Sequence, residues 1–243
     1  MTDKRDKPVT KNPSKQQLSA SDDVAAFLNK VRATPNSKPA GRQGRLIFAM
    51  DATASREPSW DRACQIQGSM FQATETVGQL SIQLVFYRGF GECKSSKWHD
   101  RPASLLRAMT AVRCLGGRTQ LGRVLSHALT ENERSRVDAL VFVGDAFEED
   151  IDRVCHTAGQ LGLKGLPAFM FHEGGEPIAG RAFSQIAKLS GGAYSAFDGN
   201  SAEQLRQLLA AVAVYASGGH RALLAHAEKT GGAALQLTHK LSR

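Results

Sequence analysis

What the chain lacks narrows its class before any motif is considered. No apolar run approaches the roughly 18 residues that a membrane-spanning helix requires; the longest, Leu208 to Ala216, has nine. The first seven residues, Met1-Thr2-Asp3-Lys4-Arg5-Asp6-Lys7, carry charge with no apolar segment behind them, so no secretion signal is expected and the cytoplasm is the expected compartment. Only four cysteines occur, at 64, 93, 114 and 155, without a Cys-x-x-Cys pair or a Cys/His cluster at zinc-finger spacing; reduced, partly buried thiols follow. The histidines are scattered singly. Aromatic residues make up 7% and do not interleave with a basic stripe in the body of the chain, which removes the usual platform for stacking bases. Neither Gly-x-Gly-x-x-Gly, Gly-x-x-x-x-Gly-Lys nor Gly-x-Ser-x-Gly is present, so dinucleotide binding, P-loop chemistry and the hydrolase elbow have no local signature.

What remains is a 243-residue chain, 42% hydrophobic and 22% charged, long enough for one large domain with tails. Its net charge of +8 sits at the ends. Residues 1–45 hold ten basic and four acidic residues and residues 218–243 hold four and one, whereas 46–217 hold seventeen and eighteen. Basic arms on a near-neutral body fit either a pair of solvated, disordered ends or a weak, salt-sensitive attraction to polyanions or an acidic partner, without a folded groove for bases. The composition of 1–44, rich in Lys, Ser, Pro and Gln, reads as a largely disordered arm containing one short helix after Ser21-Asp22-Asp23. A domain over 45–217 and a basic tail over 218–243 complete the expected organisation.

Within that domain, short apolar runs alternate with helical spacing. Arg45 to Met50 is a buried strand; Trp60, Ala63, Cys64, Gln67, Met70, Phe71, Thr74 and Val77 mark one long helix from Pro58 to Gly78. Ser81 to Tyr87 is a second strand, and Glu92 to Trp98 an antiparallel edge strand carrying polar residues. Pro102–Met109, a helix around Leu121 to Leu129, the run Asp138 to Val143, a helix from Glu148 to Leu161, and the strand Leu166 to His172 follow. Helix Ile178–Leu189, strand Ala193–Phe197 and helix Ala202–Ala216 end the pattern. The order predicts an α/β fold: a doubly wound, mostly parallel sheet with one antiparallel edge strand and helices on both faces, Rossmann-like, with ligands at the carboxyl ends of the strands.

Two apolar strands end on carboxylates, at Asp51 and at Asp145, and point both at that edge. The first breaks into Asp51-Ala52-Thr53-Ala54-Ser55, and Thr119 follows a glycine pair in Cys114-Leu115-Gly116-Gly117-Arg118-Thr119. Oxygen ligands alternating on one loop suit a hard cation such as Mg²⁺. Each residue alone also suits helix capping. Together the five positions resemble the metal-ion-dependent adhesion site (MIDAS) of von Willebrand factor A (VWA) domains, whose pattern is Asp-x-Ser-x-Ser after the first strand, a Thr in a Gly-rich loop and an Asp after a later apolar strand. The resemblance covers residues 45 to 216. It implies that Thr53, Ser55 and Thr119 are hydroxyl ligands of Mg²⁺ or Mn²⁺, with Ca²⁺ a weaker candidate, that Asp51 and Asp145 balance the charge, and that the open position takes an Asp or Glu of a protein partner. Thr53 stands where the family has its first serine, and Ala146 where a glycine often follows. The implied function is a non-enzymatic, metal-dependent scaffold or adaptor module, often within a multiprotein assembly, with no membrane insertion.

Two alternatives come from the same residues. Asp51 with Asp145 and Asp150 also resembles, loosely, the nucleophile and acidic motifs of haloacid-dehalogenase-like phosphohydrolases, though Thr53 stands where most of those enzymes place an acid-base Asp and no lysine is suitably placed, Lys164 being late in order. The basic arms alternatively fit a nucleic-acid-associated module. Arg56 and Arg118 flank the site, either meeting an acidic partner or being loop solvation. The acids Glu148, Glu149, Asp150 and Asp152 read as a solvated helix start.

Overall fold

A computed structural model describes residues 43–198 and 201–230, together with Ala26, Asn29 and Lys30, which are helical. Most of the basic arm and the tail after Thr230, about which expectations were stated above, lie outside the described residues.

Six strands form one sheet in the order β3-β2-β1-β4-β5-β6. They are β1 (Gly44–Asp51), β2 (Leu80–Arg88), β3 (Glu92–His99), β4 (Ala139–Gly144), β5 (Ala168–Glu173) and β6 (Tyr194–Phe197). All neighbours are parallel except β2 and β3. The expected doubly wound α/β architecture with one antiparallel edge strand is therefore the one observed. Continuous apolar sequence is what a strand needs when helices cover both its faces, and β1, β4 and β5 are buried almost throughout. Alternate residues feed two cores. Leu46, Phe48 and Met50 join Val141, Val143, Phe169 and Phe171 on one face, whereas Ile47 and Ala49 join Leu140, Phe142 and Met170 on the other. Each large side chain so buried contributes about 1.5–3 kcal/mol.

The first face is covered by α1 (Glu57–Ile66), α2 (Gly68–Thr74), α3 (Pro102–Thr110) and α7 (Ala202–Thr230), the second by α4 (Leu121–Arg134), α5 (Ile151–Leu163) and α6 (Pro177–Ser190). The single helix expected from Pro58 to Gly78 is two helices, offset at Gln67, where Met70 N–H bonds the Gln67 carbonyl three residues back and Gly68 weakens the helical ladder. The last helix runs past its expected end at Ala216 to Thr230, kinking at Gly219, whose φ of 70° lies outside helical space. Leu223 beyond the kink is fully buried, so the chain past residue 218 returns to the core. The four cysteines are unpaired, and burial pushes the thiols of Cys64, Cys93 and Cys114 up to about 11, leaving them protonated.

His99 and His127 lie below their ordinary value of 6.5, chiefly because burial disfavours the imidazolium. A base with a depressed folded-state pKa contributes stability that is present above 6.5 and lost as pH falls toward the folded value, because the unfolded chain then binds more protons. The urea midpoint is expected to fall between pH 7 and pH 5, and to fall less in a His99→Gln/His127→Gln protein.

Candidate metal centre

The chain leaves β1 to pair β2 on one side and β4 on the other, so the crevice at the carboxyl ends of β1 and β4 is the switch point where doubly wound sheets bind ligands. Asp51 is the last residue of β1 and is paired in register with Tyr87. It is 1% exposed. Its carboxylate accepts the Thr53 backbone N–H at 2.7 Å, and the Tyr87 hydroxyl lies buried beside it without a well-formed hydrogen bond. Burial raises the Asp51 pKa first of all, and the charge of Asp145 adds to the rise, while the hydrogen bonds from Thr53 oppose it. Two acids from separate strands therefore share one crevice and repel each other.

The loop carrying Thr119 is pinned to the segments that leave β1 and β2. Leu115 N–H bonds the Ala52 carbonyl at 3.0 Å, and Arg118 N–H bonds the Gly89 carbonyl at 3.1 Å. Gly117 is required there, since a Cβ would stand 2.1 Å from the Gly89 carbonyl oxygen. The Thr119 hydroxyl accepts the Glu148 backbone N–H at 2.9 Å, which locks this loop to the one after β4. The Glu149 carboxylate accepts the N–H groups of Leu121 and Gly122 at the start of α4. Asp150 caps α5 by accepting from Asp152 and Arg153. Asp150 and Glu148 are exposed, as a solvated helix start requires, but Glu149 is half-buried and bridges two elements, because the orphan donors of a helix N-terminus need acceptors.

Asp51 and Thr53 are brought together directly, Asp145 stands close enough for its charge to raise the Asp51 pKa, and Thr119 is held at the same edge through Ala52 and Glu148. Ser55 is exposed in the short 3₁₀ turn Ala54–Arg56 and its hydroxyl makes no hydrogen bond. Arg56 departs most from expectation. Its side chain is 3% exposed, bonded to Glu173 at 2.5 Å and 3.6 Å from Asp145, so it is neither loop solvation nor available to a partner's acid. Glu173, which also accepts from Ser59 and Arg62, was missed in the sequence. The signal was available, because Glu173 ends the apolar β5 run just as Asp51 ends β1. Arg118, by contrast, is exposed.

The donor set suits a hard divalent cation: two carboxylates for charge and neutral hydroxyls to fill the shell. Among the described residues no cluster of three His, Cys, Asp or Glu side chains suits a metal, so any ion here depends on the hydroxyls.

No family model matches the chain, and no curated protein matches its sequence. Solved structures do match in shape. Proximal thread matrix protein 1 from the mussel byssus superposes with a TM-score of 0.58 at 13% identity, over 71% of this chain and 46% of that one. Another structure of the mussel protein has a zinc-occupied MIDAS motif. The pilus adhesin SpaC from Lactobacillus rhamnosus GG gives 0.58 at 10% identity, over 74% of this chain and 30% of that one. The SpRpn10 VWA domain gives 0.53 at 15%, over 68% of this chain and 93% of that one. The chain thus spans about half the mussel protein or less of the adhesin, but nearly the whole SpRpn10 domain. At these identities the likeness establishes the fold, and that fold is the VWA-type, Rossmann-like α/β domain.

Proposed function

We propose that the carboxyl edge of this sheet is a divalent-cation-dependent protein-recognition site in a cytoplasmic scaffold or adaptor module. The observation that carries the reading is the meeting of Asp51 and Asp145, from two strands flanking the switch point, with the hydroxyl-bearing loops of Thr53 and Thr119. In it, Thr53, Ser55 and Thr119 supply neutral oxygens, and Asp51 and Asp145 supply charge. Bound Mg²⁺ or Mn²⁺ would offer a Lewis-acid position to an Asp or Glu of a protein partner. More protein carboxylates would weaken that attraction.

The rim fits an acidic partner with an apolar side chain beside its carboxylate. Phe90, 82% exposed at the β2–β3 turn, and Leu115, 47% exposed, flank the Thr119 loop. Exposed Arg113 and Arg118 lie on that loop as well. Aromatic anchors ringed by charge are the usual hot spots of such surfaces.

The phosphohydrolase reading is weakened by two placements. Asp150 is committed to capping α5, and Lys164, paired with Glu133, sits at the far end of α5, away from Asp51. The nucleic-acid reading rests on basic arms that lie mostly outside the described residues; a steep salt dependence of RNA binding, lost on deleting residues 1–44, would favour it.

The test is capture of a partner with and without EDTA, with the captured protein's acidic residues then changed to their amides. Capture is expected to require the ion, Thr119 and one partner acid, and to weaken at least tenfold in Phe90→Ala with ion affinity unchanged. Capture that survives EDTA and Thr119→Ala rejects the reading, and turnover of phosphate esters replaces it.

A further inference from the structure

Arg56 directly follows the hydroxyl-bearing loop, yet its guanidinium turns inward. One nitrogen bonds Glu173 at 2.5 Å and the other lies 3.6 Å from Asp145. Its positive charge also favours ionised Asp51. Glu173 is held in turn by Ser59 at 2.6 Å and Arg62 at 3.3 Å, so the arginine has a fixed anchor on β5. The Arg56 Nε is buried without a hydrogen-bond partner, which marks a side chain placed by charge rather than by a complete hydrogen-bond set.

We infer that Arg56 is the resident counter-charge of the metal-binding loop, and that it competes with a divalent cation for Asp145. The inference rests on the metal-site reading above and adds to it a control on affinity. Asp51, Asp145 and Glu173 against Arg56 and Arg62 leave the cluster around the arginine at a net charge of −1. A divalent ion turns that into +1. The ion-free crevice is thereby nearly balanced and stays folded, while the loaded crevice becomes attractive to a carboxylate. Without Arg56 the same crevice would pass from −2 to 0: it would hold the ion more tightly and attract an acidic partner less. Opposite charges 3.6 Å apart in a half-buried site, as Arg56 and Asp145 are, interact strongly enough for this to be measured.

Calorimetric titration of Mn²⁺ into the full chain and into Arg56→Gln is the test, with Arg56→Lys as the charge-retaining control. Glutamine can still donate to Glu173. Should Arg56→Gln fail to fold, Arg56→Met takes its place, since it likewise removes only the arginine's charge and leaves Glu173 its bonds from Ser59 and Arg62. The expected result is an ion affinity raised at least tenfold in the uncharged variant and changed less than threefold in Arg56→Lys. Equal affinity in wild type and the uncharged variant overturns the competition and leaves the metal site standing. Absence of Mn²⁺ binding from all of them overturns both, while binding confined to the uncharged variant supports the competition in its strongest form.

Discussion

Asp51→Ala is expected to abolish Mg²⁺ and Mn²⁺ binding while the domain remains folded. The residue ends β1 at the switch point, is 1% exposed, and is shifted upward in pKa chiefly by burial and further by the charge of Asp145. In the ion-free protein its charge is therefore a cost. Truncation removes a desolvation penalty of several kcal/mol in principle, and loses the acceptor of the Thr53 N–H, a loss of about 1–3 kcal/mol. The two oppose each other, so the ion-free variant is expected to stay folded, with a change in stability smaller than the larger of them. With the ion the difference is large. A ligand at one hundred times its Kd stabilises by about 2.7 kcal/mol, or about 5–10 °C in a domain of this size. Wild type is expected to show that rise in thermal midpoint with saturating Mg²⁺, and Asp51→Ala to show none. A rise preserved in the variant would place the ion elsewhere.

Gly117→Ala is expected to be the most damaging single methyl group near the site. A Cβ there would meet the Gly89 carbonyl oxygen at 2.1 Å and its carbon at 2.5 Å, and both partners are backbone. Neither side can yield by turning a side chain. The loop must lift off the β2–β3 turn, breaking the Arg118 N–H bond to Gly89 and loosening the Gln120 amide that donates to the same carbonyl. Overpacking of this kind costs about 1–3 kcal/mol, and each lost hydrogen bond adds about 1 kcal/mol. Because Thr119 rides on this loop, Mn²⁺ affinity should fall with stability. Gly116→Ala is the control, since a Cβ there meets nothing within 4 Å. Matching urea midpoints and Mn²⁺ affinities for the two variants would show that the close approach does not position Thr119.

Much of this was legible from residues alone. The apolar runs at 46–50, 139–143 and 168–171 announce buried parallel strands because every residue of a doubly covered strand must be apolar. The break of the first two into Asp51 and Asp145 marks the edge where polar chemistry can stand. Those are local signals, written within a few neighbours of each residue. The offset at Gln67 and the return of the chain at Leu223 were not legible, since Gly218-Gly219 reads as an end unless the core beyond it is known.

The sequence by itself determined the α/β alternation and the two strands that run into Asp51 and Asp145, because periodicity and strand-ending acids are properties of contiguous residues. Only the tertiary structure decided which charges face which. Arg56 and Glu173 are 117 residues apart in the chain, as Thr119 and Glu148 are 29. Whether an arginine beside a metal loop meets water, a partner or an internal acid depends on what β5 delivers to the same crevice. Burial then multiplies the consequence, since a charge removed from water must find its partner inside the protein.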